Sequence, residues 1–392
     1  MPWGSALDRR EEFVRLFGSG APVSELCRRF GVSRSNGYKW VRRYEAAGLD
    51  GLGERSRRPL SSPTRTEAEM EAQVLAVRAE HPAWGGRKIR KVLERSGLEP
   101  PAASTITQIL RRSGVLTGPR AGQARDWVRF EHAEPNDLWQ MDFKGHFAMG
   151  GPGRRCHPLT VLDDHSRYAL EIGACGNEQT ATVQDRLTAV FRRYGLPLRI
   201  LADNGSPWGT SGGPQPHTPL SVWLLDLGVR LSHGRPFHPQ TQGKDERFHR
   251  TLIAEVLDGR TIRSLEQAQA AFDAWREVYN TVRPHEGIGM AVPAERYRIS
   301  PRPMPSVIAP PDYEPQAQVR KVHGDGRISF KGRVINCPKA LLGRRLALRA
   351  TNTDGVFDLC YRSHVLSQVD LRHNINQTVL DVPEQTSSMC PV

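Results

Sequence analysis

Arg199-Ile200-Leu201-Ala202-Asp203-Asn204-Gly205 is the stretch that decides the fold. Ile200 to Ala202 is a short apolar run bounded by turn residues, which reads as a buried strand. That strand delivers Asp203 at its carboxyl end. Before it, residues 180–194 place Val183, Leu187, Val190 and Phe191 on one helical face, and Gly195 ends the helix. Further back, 138–148, 157–163 and 168–173 read as three successive strands, the first carrying Asp142. Ahead, 221–227 reads as a short helix, 228–232 as a last strand, and 241–257 and 265–280 as closing helices. A mixed sheet flanked by helices, with acids at strand ends, is an α/β core with its chemistry at the carboxyl edge.

Two further islands offer carboxylates in similar settings. Asp142 stands in Trp139-Gln140-Met141-Asp142-Phe143, and Glu246 in Gly243-Lys244-Asp245-Glu246-Arg247-Phe248-His249-Arg250. On the second helix Phe248, Leu252 and Val256 can face the core, while Glu246, His249, Arg250 and Ile253 share a neighbouring face. Asp245 is turned about 100° from Glu246. Hard cations such as Mg²⁺ take oxygen ligands and leave room for phosphate oxygens. Two of them can activate a hydroxyl and stabilise the leaving oxygen of a phosphoryl transfer. Most acids in any chain are solvated surface charges, and 42 are present here, so the flanking residues have to decide.

Charge points the same way. The 392 residues carry 55 Lys and Arg against 42 Asp and Glu, a net +13 and a pI near 9.8, which favours polyanionic partners. The pairs Arg9-Arg10, Arg28-Arg29, Arg42-Arg43, Arg57-Arg58 and Arg111-Arg112 all fall in the first third. Six scattered cysteines form no C-x-x-C pair, which suggests neither a disulfide framework nor a zinc site. The N-terminus lacks an apolar signal core, and no apolar run approaches the roughly eighteen residues of a membrane span. These features predict a soluble, cytoplasmic protein.

The length implies about two to four domains. Residues 1–52 read as a helix-turn-helix domain with helices at 8–17, 23–30 and from the Ser33 cap to 47. Arg34, Ser35, Asn36 and Lys39 take the groove-facing turns of its third helix, followed by Arg42 and Arg43; Tyr38, Trp40 and Val41 supply packing. Residues 53–65 are a basic linker with Arg57 and Arg58 on the phosphate track. A second helix-turn-helix domain spans 66–118, with Arg87, Lys88, Arg90, Thr107, Gln108, Arg111 and Arg112 as candidate contacts. A linker at 119–134 leads to the core at 135–300. A Pro-rich linker at 301–316 precedes short strands at 317–372, the texture of a small β-barrel made basic by Lys321, Lys331, Arg333, Arg344 and Arg345. The tail, 373–392, carries no fold signal.

Between 130 and 300 the chain resembles the integrase-core (DDE) transposases, an RNase H-like family shared by bacterial insertion sequences and retroviral integrases. The resemblance rests on Trp139-Gln140-Met141-Asp142-Phe143, Asp163-Asp164-His165-Ser166-Arg167, Asp203-Asn204-Gly205, His238-Pro239-Gln240-Thr241-Gln242-Gly243-Lys244, Glu246 to Leu252, Tyr279-Asn280 and Arg283-Pro284-His285. It implies a catalytic triad of Asp142, Asp203 and Glu246 holding two Mg²⁺ or Mn²⁺ ions. It further implies DNA contacts from Lys244, Arg247 and Arg250, and tandem readers for the terminal inverted repeats of an insertion sequence. The chemistry implied is cleavage releasing a 3′-OH and direct strand transfer by a dimer or larger assembly on double-stranded DNA. The Asp203–Glu246 spacing is longer than the commonest one, with a Gly/Pro-rich stretch at 208–217 as the insertion. No His₂Cys₂ module of the retroviral type is present. Asp163-Asp164-His165 serves either as support for the site or a DNA contact, or as a strand-end turn, and Arg283 and His285 either contact DNA or cap a helix. His233 and His238 are expected to be structural. Two other functions fit parts of this pattern: a DNA-binding regulator with a decayed core, and a nuclease for RNA–DNA hybrids.

Overall fold

The computed structural model describes residues 6–54, 65–116, 131–203, 205–209, 217–233, 243–372 and 380–381. The chain divides into two compact units, residues 1–65 and 66–392.

The first unit is three helices, α1 (Ala6–Gly18), α2 (Val23–Phe30) and α3 (Arg34–Ala47), closed by a 3₁₀ turn at Gly48–Leu52 that the sequence does not announce. Ser33 caps α3 as expected, its hydroxyl accepting the amide of Asn36 at 3.3 Å. Phe13, Leu26, Phe30, Val41 and Leu52 fill the core, and Trp40 packs edge-on against Phe13. Helix α3 crosses close to α2 at Gly37, where a Cβ would stand 2.4 Å from the sulfur of Cys27. Tyr38 corrects the expected packing: it is half exposed rather than part of the core.

The second unit opens with α4 (Ala68–Glu80), α5 (Gly86–Arg95) and α6 (Ala103–Arg112), gathered around Val74, Trp84, Ile89, Leu93, Ile106 and Leu110. Val278, far along the chain, packs against this cluster and ties it to the rest of the unit.

A six-stranded sheet comes next: β1 (Leu138–Phe143), β2 (Phe147–Ala148), β3 (Arg155–Asp163), β4 (Ala169–Cys175), β5 (Arg199–Ala202) and β6 (Arg230–His233). The single strand expected at 138–148 is broken at Gly145, whose φ of 85° suits glycine. β1 and β2 still run along the same antiparallel partner, β3. β4 pairs antiparallel with β3. β5 lies parallel to β1, and β6 parallel to β5.

Alternation along the strands feeds both faces. Leu159, Val161 and Leu170 meet α7 (Thr180–Tyr194) and α8 (Pro219–Asp226) on one side. Leu162, Ile172 and Ala174 meet α9 (Gly243–Leu252), its π-helical continuation Ile253–Leu257, and α10 (Leu265–Thr281) on the other. The result is a three-layer α/β core.

The C-terminal part holds β7 (Gln318–Lys321), β8 (Arg327–Phe330), β9 (Arg333–Asn336), β10 (Arg345–Ala350), β11 (Val356–Tyr361), β12 (His364–Asp370) and β13 (Leu380–Asp381). Five of these form a sheet in the order β13-β12-β11-β10-β7, and β8-β9 is a hairpin over the same core. Among the described residues these pairings do not close into a ring, and the region is β-rich. Val222 and Leu225 of α8 enter its core. Buried Asp226 accepts hydrogen bonds from the Tyr361 hydroxyl at 2.5 Å and Arg362 Nε at 2.9 Å, and pairs with Arg344 at 3.1 Å.

No helix among the described residues is long and apolar enough to cross a membrane. Five cysteines, Cys27, Cys156, Cys175, Cys337 and Cys360, are buried free thiols.

Candidate active site

The sheet brings Asp142 and Asp203 together. Gln140 pairs with Leu201 across the parallel β1–β5 ladder, so two residues further along each chain the aspartates are neighbours at the carboxyl edge. Burial first, and the charge of Asp203 second, push the Asp142 carboxyl up to about 7. Asp203 accepts the amide of Gly205 on its own side chain at 3.0 Å. Its carbonyl accepts Nδ1–H of His233 at 2.6 Å, which gives His233 the expected structural part. His238 lies outside the described residues.

Helix α9 brings the third island to the same edge, packed beside β1. Here the two neighbouring acids part company. Asp245 is 2% exposed, with one carboxylate oxygen unpartnered among the described residues. Burial drives its carboxyl well above the ordinary value, and Asp142 adds to the rise. Glu246 lies on the exposed face of α9, as the helical step predicts. Among the described residues no three His, Cys, Asp or Glu side chains converge closely enough to hold a metal ion. Asp142 and Asp203 are thus paired, while the Glu246 carboxylate stands apart from them.

The paired acids nonetheless suit a hard cation. Two adjacent carboxylates at one strand edge, the first half-buried and resisting ionisation, are the donor set that a divalent ion would stabilise. Burial, and then the Lys144 ammonium, hold His249 at about 4, so its ring is neutral at physiological pH. Buried Thr160 donates to the carbonyl of Asp142 at 3.1 Å. Its single proton being spent there, it accepts Nε2–H of His249 at 2.8 Å.

The motif Asp163-Asp164-His165 is a buried strand-end turn. Asp163 accepts the amides of Asn136 and Ser166, each at 2.8 Å, and the Ser166 hydroxyl at 2.6 Å. Asp164 accepts Gln140 Nε2 at 2.6 Å and the amide of His132 at 3.0 Å. Arg283 is buried and pairs with Glu255 at 3.0 Å beneath Tyr279. His285 is buried against Tyr279 and pushed down to about 2, first by burial and then by Arg283. Both side chains are thus buried within the unit.

The candidate DNA contacts include solvent-exposed groups and groups engaged within the fold. Arg34, Ser35, Asn36, Lys39 and Arg42 are exposed on α3, as are Gln108 and Arg111 on α6 and Arg250 on α9. Arg57 and Arg58 lie outside the described residues. Arg43 instead reaches inward to the carbonyl of Gly53 at 3.0 Å. Thr107 donates to the carbonyl of Ala103 at 2.8 Å. Arg112 pairs with Glu71. Arg90 pairs with Glu94 at 2.9 Å. Arg87 and Arg247 both approach Glu286, at 3.5 and 4.0 Å. Lys88 is half-buried, its ammonium brought down to about 8 by burial and by Arg283. Lys244 pairs with Asp164 at 2.5 Å. The Arg90–Glu94 pair is an i,i+4 spacing that the sequence shows, whereas the partners of Arg87, Arg112, Lys244 and Arg247 come from distant segments, which a one-dimensional pattern does not carry.

Comparison with known proteins covers most of the chain. Two models described as integrase core domain match residues 132–239 and 227–293. A homeodomain-like domain matches 36–110, a helix-turn-helix domain 9–59, and the C-terminal domain of IS481 family transposases 317–377. The insertion element IS407 uncharacterized 31.7 kDa protein of Burkholderia multivorans is 26% identical over 275 residues, 69% of this chain and 88% of that protein. The insertion element IS476 uncharacterized 39.2 kDa protein of Xanthomonas euvesicatoria is 27% identical over 298 residues, 74% of this chain and 77% of that one. A putative transposase for insertion sequence element IS5376 of Geobacillus stearothermophilus is 27% identical, covering 63% of this chain and 62% of its own length. The chain resembles the integrase-core transposases of bacterial insertion sequences, with helix-turn-helix DNA-binding modules preceding an integrase core.

Proposed function

We propose that this chain is a DNA transposase that binds the terminal inverted repeats of its insertion sequence, cleaves at the element's 3′ ends and transfers them into target DNA. The observation that carries this reading is the pairing of Asp142 with Asp203 at the carboxyl edge of the sheet, next to the helix that bears Glu246. Asp142, Asp203 and Glu246 would hold two Mg²⁺ or Mn²⁺ ions. Those ions, when bound, would supply charge stabilisation at the attacking and leaving oxygens.

The chain's own residues do the rest. The two aspartates fix one side of the site on rigid strands. Glu246, exposed at the start of α9, approaches from a separate element, so DNA entering along the basic face of that helix can complete the set. Arg250 on that face meets phosphates, and exposed Arg34, Asn36 and Lys39 read base edges of the repeat. Two element ends are joined in one event, so a dimer or larger assembly on DNA would be the working form.

The test incubates the full chain with labelled duplexes carrying the element's ends, a target plasmid, and Mg²⁺ or EDTA. Metal-dependent 3′ nicking and joined products are expected. Specific end binding without products in either Mg²⁺ or Mn²⁺ would support the regulator with a decayed core instead.

A further inference from the structure

Asp164 ties together the two elements that carry Asp142 and Glu246. It is 2% exposed at the turn after β3. One of its oxygens accepts both Gln140 Nε2 at 2.6 Å and Lys244 Nζ at 2.5 Å, and the other accepts the amide of His132 at 3.0 Å. Gln140 lies two residues before Asp142 on β1. Lys244 lies two residues before Glu246 in the first turn of α9. A single buried carboxylate thus spans strand and helix immediately behind the two acids. A second tie lies one turn further along α9, where His249 reaches Thr160 and Thr160 reaches the carbonyl of Asp142.

We infer that Asp164 and Lys244 are positioning residues, a buried ion pair that sets the placement of α9 against β1 and hence the reach of Glu246 to Asp142 and Asp203. The inference rests on the transposase reading and adds to it that Lys244 is turned inward rather than toward DNA. The side chain of Lys244 is 21% exposed and that of Asp164 3%, so water screens the contact poorly. An ion pair suits this place better than apolar packing because it is directional: it holds when the ammonium meets the oxygen that Gln140 already fixes. Sub-ångström placement of a catalytic carboxylate is worth large factors in rate, whereas the fold itself rests on the apolar layers around Leu162 and Phe248.

Lys244→Met, Asp164→Asn and the double variant, made in the full chain, test this. Three readouts apply: amide exchange of residues 243–252, Mn²⁺ binding by electron paramagnetic resonance, and end joining with DNA affinity measured alongside. Each single variant is expected to speed exchange of α9 by about tenfold, to weaken Mn²⁺ binding, and to slow joining by about 10- to 100-fold with DNA affinity unchanged. The double variant is expected to be no worse than the worse single one, because both remove the same contact. Unchanged α9 exchange with weaker DNA binding would make Lys244 a phosphate contact and overturn the inference. Exchange raised evenly across the sheet would also overturn it, by making the pair a general support of the fold. If the wild type joins no ends, the exchange and Mn²⁺ readouts still decide the pair's role, so the failure of the transposase reading is told apart.

Discussion

Asp142 stands beside Asp203 because Gln140 and Leu201 are register partners on adjacent parallel strands. The sheet therefore forces two carboxylates into one neighbourhood, and the half-buried Asp142 answers by holding its proton up to about pH 7. Such an arrangement costs stability until a cation offsets the paired charges.

Metal binding should therefore depend on pH. Below pH 7 a divalent ion must displace the proton on Asp142. Mn²⁺ affinity should fall by up to about tenfold per unit as the pH drops through 7, with close to one proton released per binding event at pH 6. Calorimetry in two buffers of different ionisation enthalpy reads that proton. An affinity flat between pH 6 and 8 would mean that Asp142 is ionised in the free protein.

Stability carries the same signature without metal. The folded-state value of Asp142 lies above the ordinary 3.8, so its contribution is fully present below pH 3.8 and is lost as the pH rises through about 7. Asp142→Asn removes the charge. The variant should match the wild type in thermal melting near pH 4 and exceed it at pH 8.

Sequence reading on DNA should map to α3. Arg34→Ala and Asn36→Ala are expected to cost about 1–3 kcal/mol on the cognate end and much less on random duplex. Arg250→Ala should weaken both about equally and flatten the salt dependence. Fluorescence anisotropy titrations at several salt concentrations separate the two cases, and equal losses for Arg34 and Asn36 would turn them into phosphate contacts.

Gly37 should be hard to replace. A methyl group there meets Cys27 and Phe13, so Gly37→Ala is expected to destabilise the first unit by about 1–3 kcal/mol. Residues 1–65 form their own compact unit, so exchange protection should fall in α1 to α3 and hold in the sheet.

Asp226 anchors the C-terminal strands to α8 through Tyr361, Arg362 and Arg344. Asp226→Ala leaves the buried Tyr361 hydroxyl unmatched and should cost about 1–3 kcal/mol, measured as a shift in denaturant midpoint. A cost under about 1 kcal/mol would mean that Val222 and Leu225 hold the junction by packing alone.

The parts of the fold legible in the sequence are those with local punctuation. Helix Val23–Phe30 ends before Gly31, Thr180–Tyr194 stops at Gly195, and strand Arg199–Ala202 is bounded by Pro197 and Asn204. The break at Gly145 is not legible, because alternation continues past it and only pairing with β3 shows the interruption. Within the site, Asp203 can be placed at the end of its strand and Asp142 within an alternating one. The inward turn of Lys244 and the burial of Asp245 cannot, since a run of charged residues on a helix reads as a solvated face until the partner Asp164 is brought up by the sheet. The docking of the C-terminal strands on α8 is equally a contact between segments far apart in sequence.

The most direct test replaces Asp142→Asn, Asp203→Asn and Glu246→Gln one at a time and measures joining of labelled element ends to a target plasmid, with end binding measured in parallel. The proposed triad predicts that each substitution lowers joining by on the order of 10³-fold while end binding is retained. Joining that survives in Glu246→Gln would contradict the account.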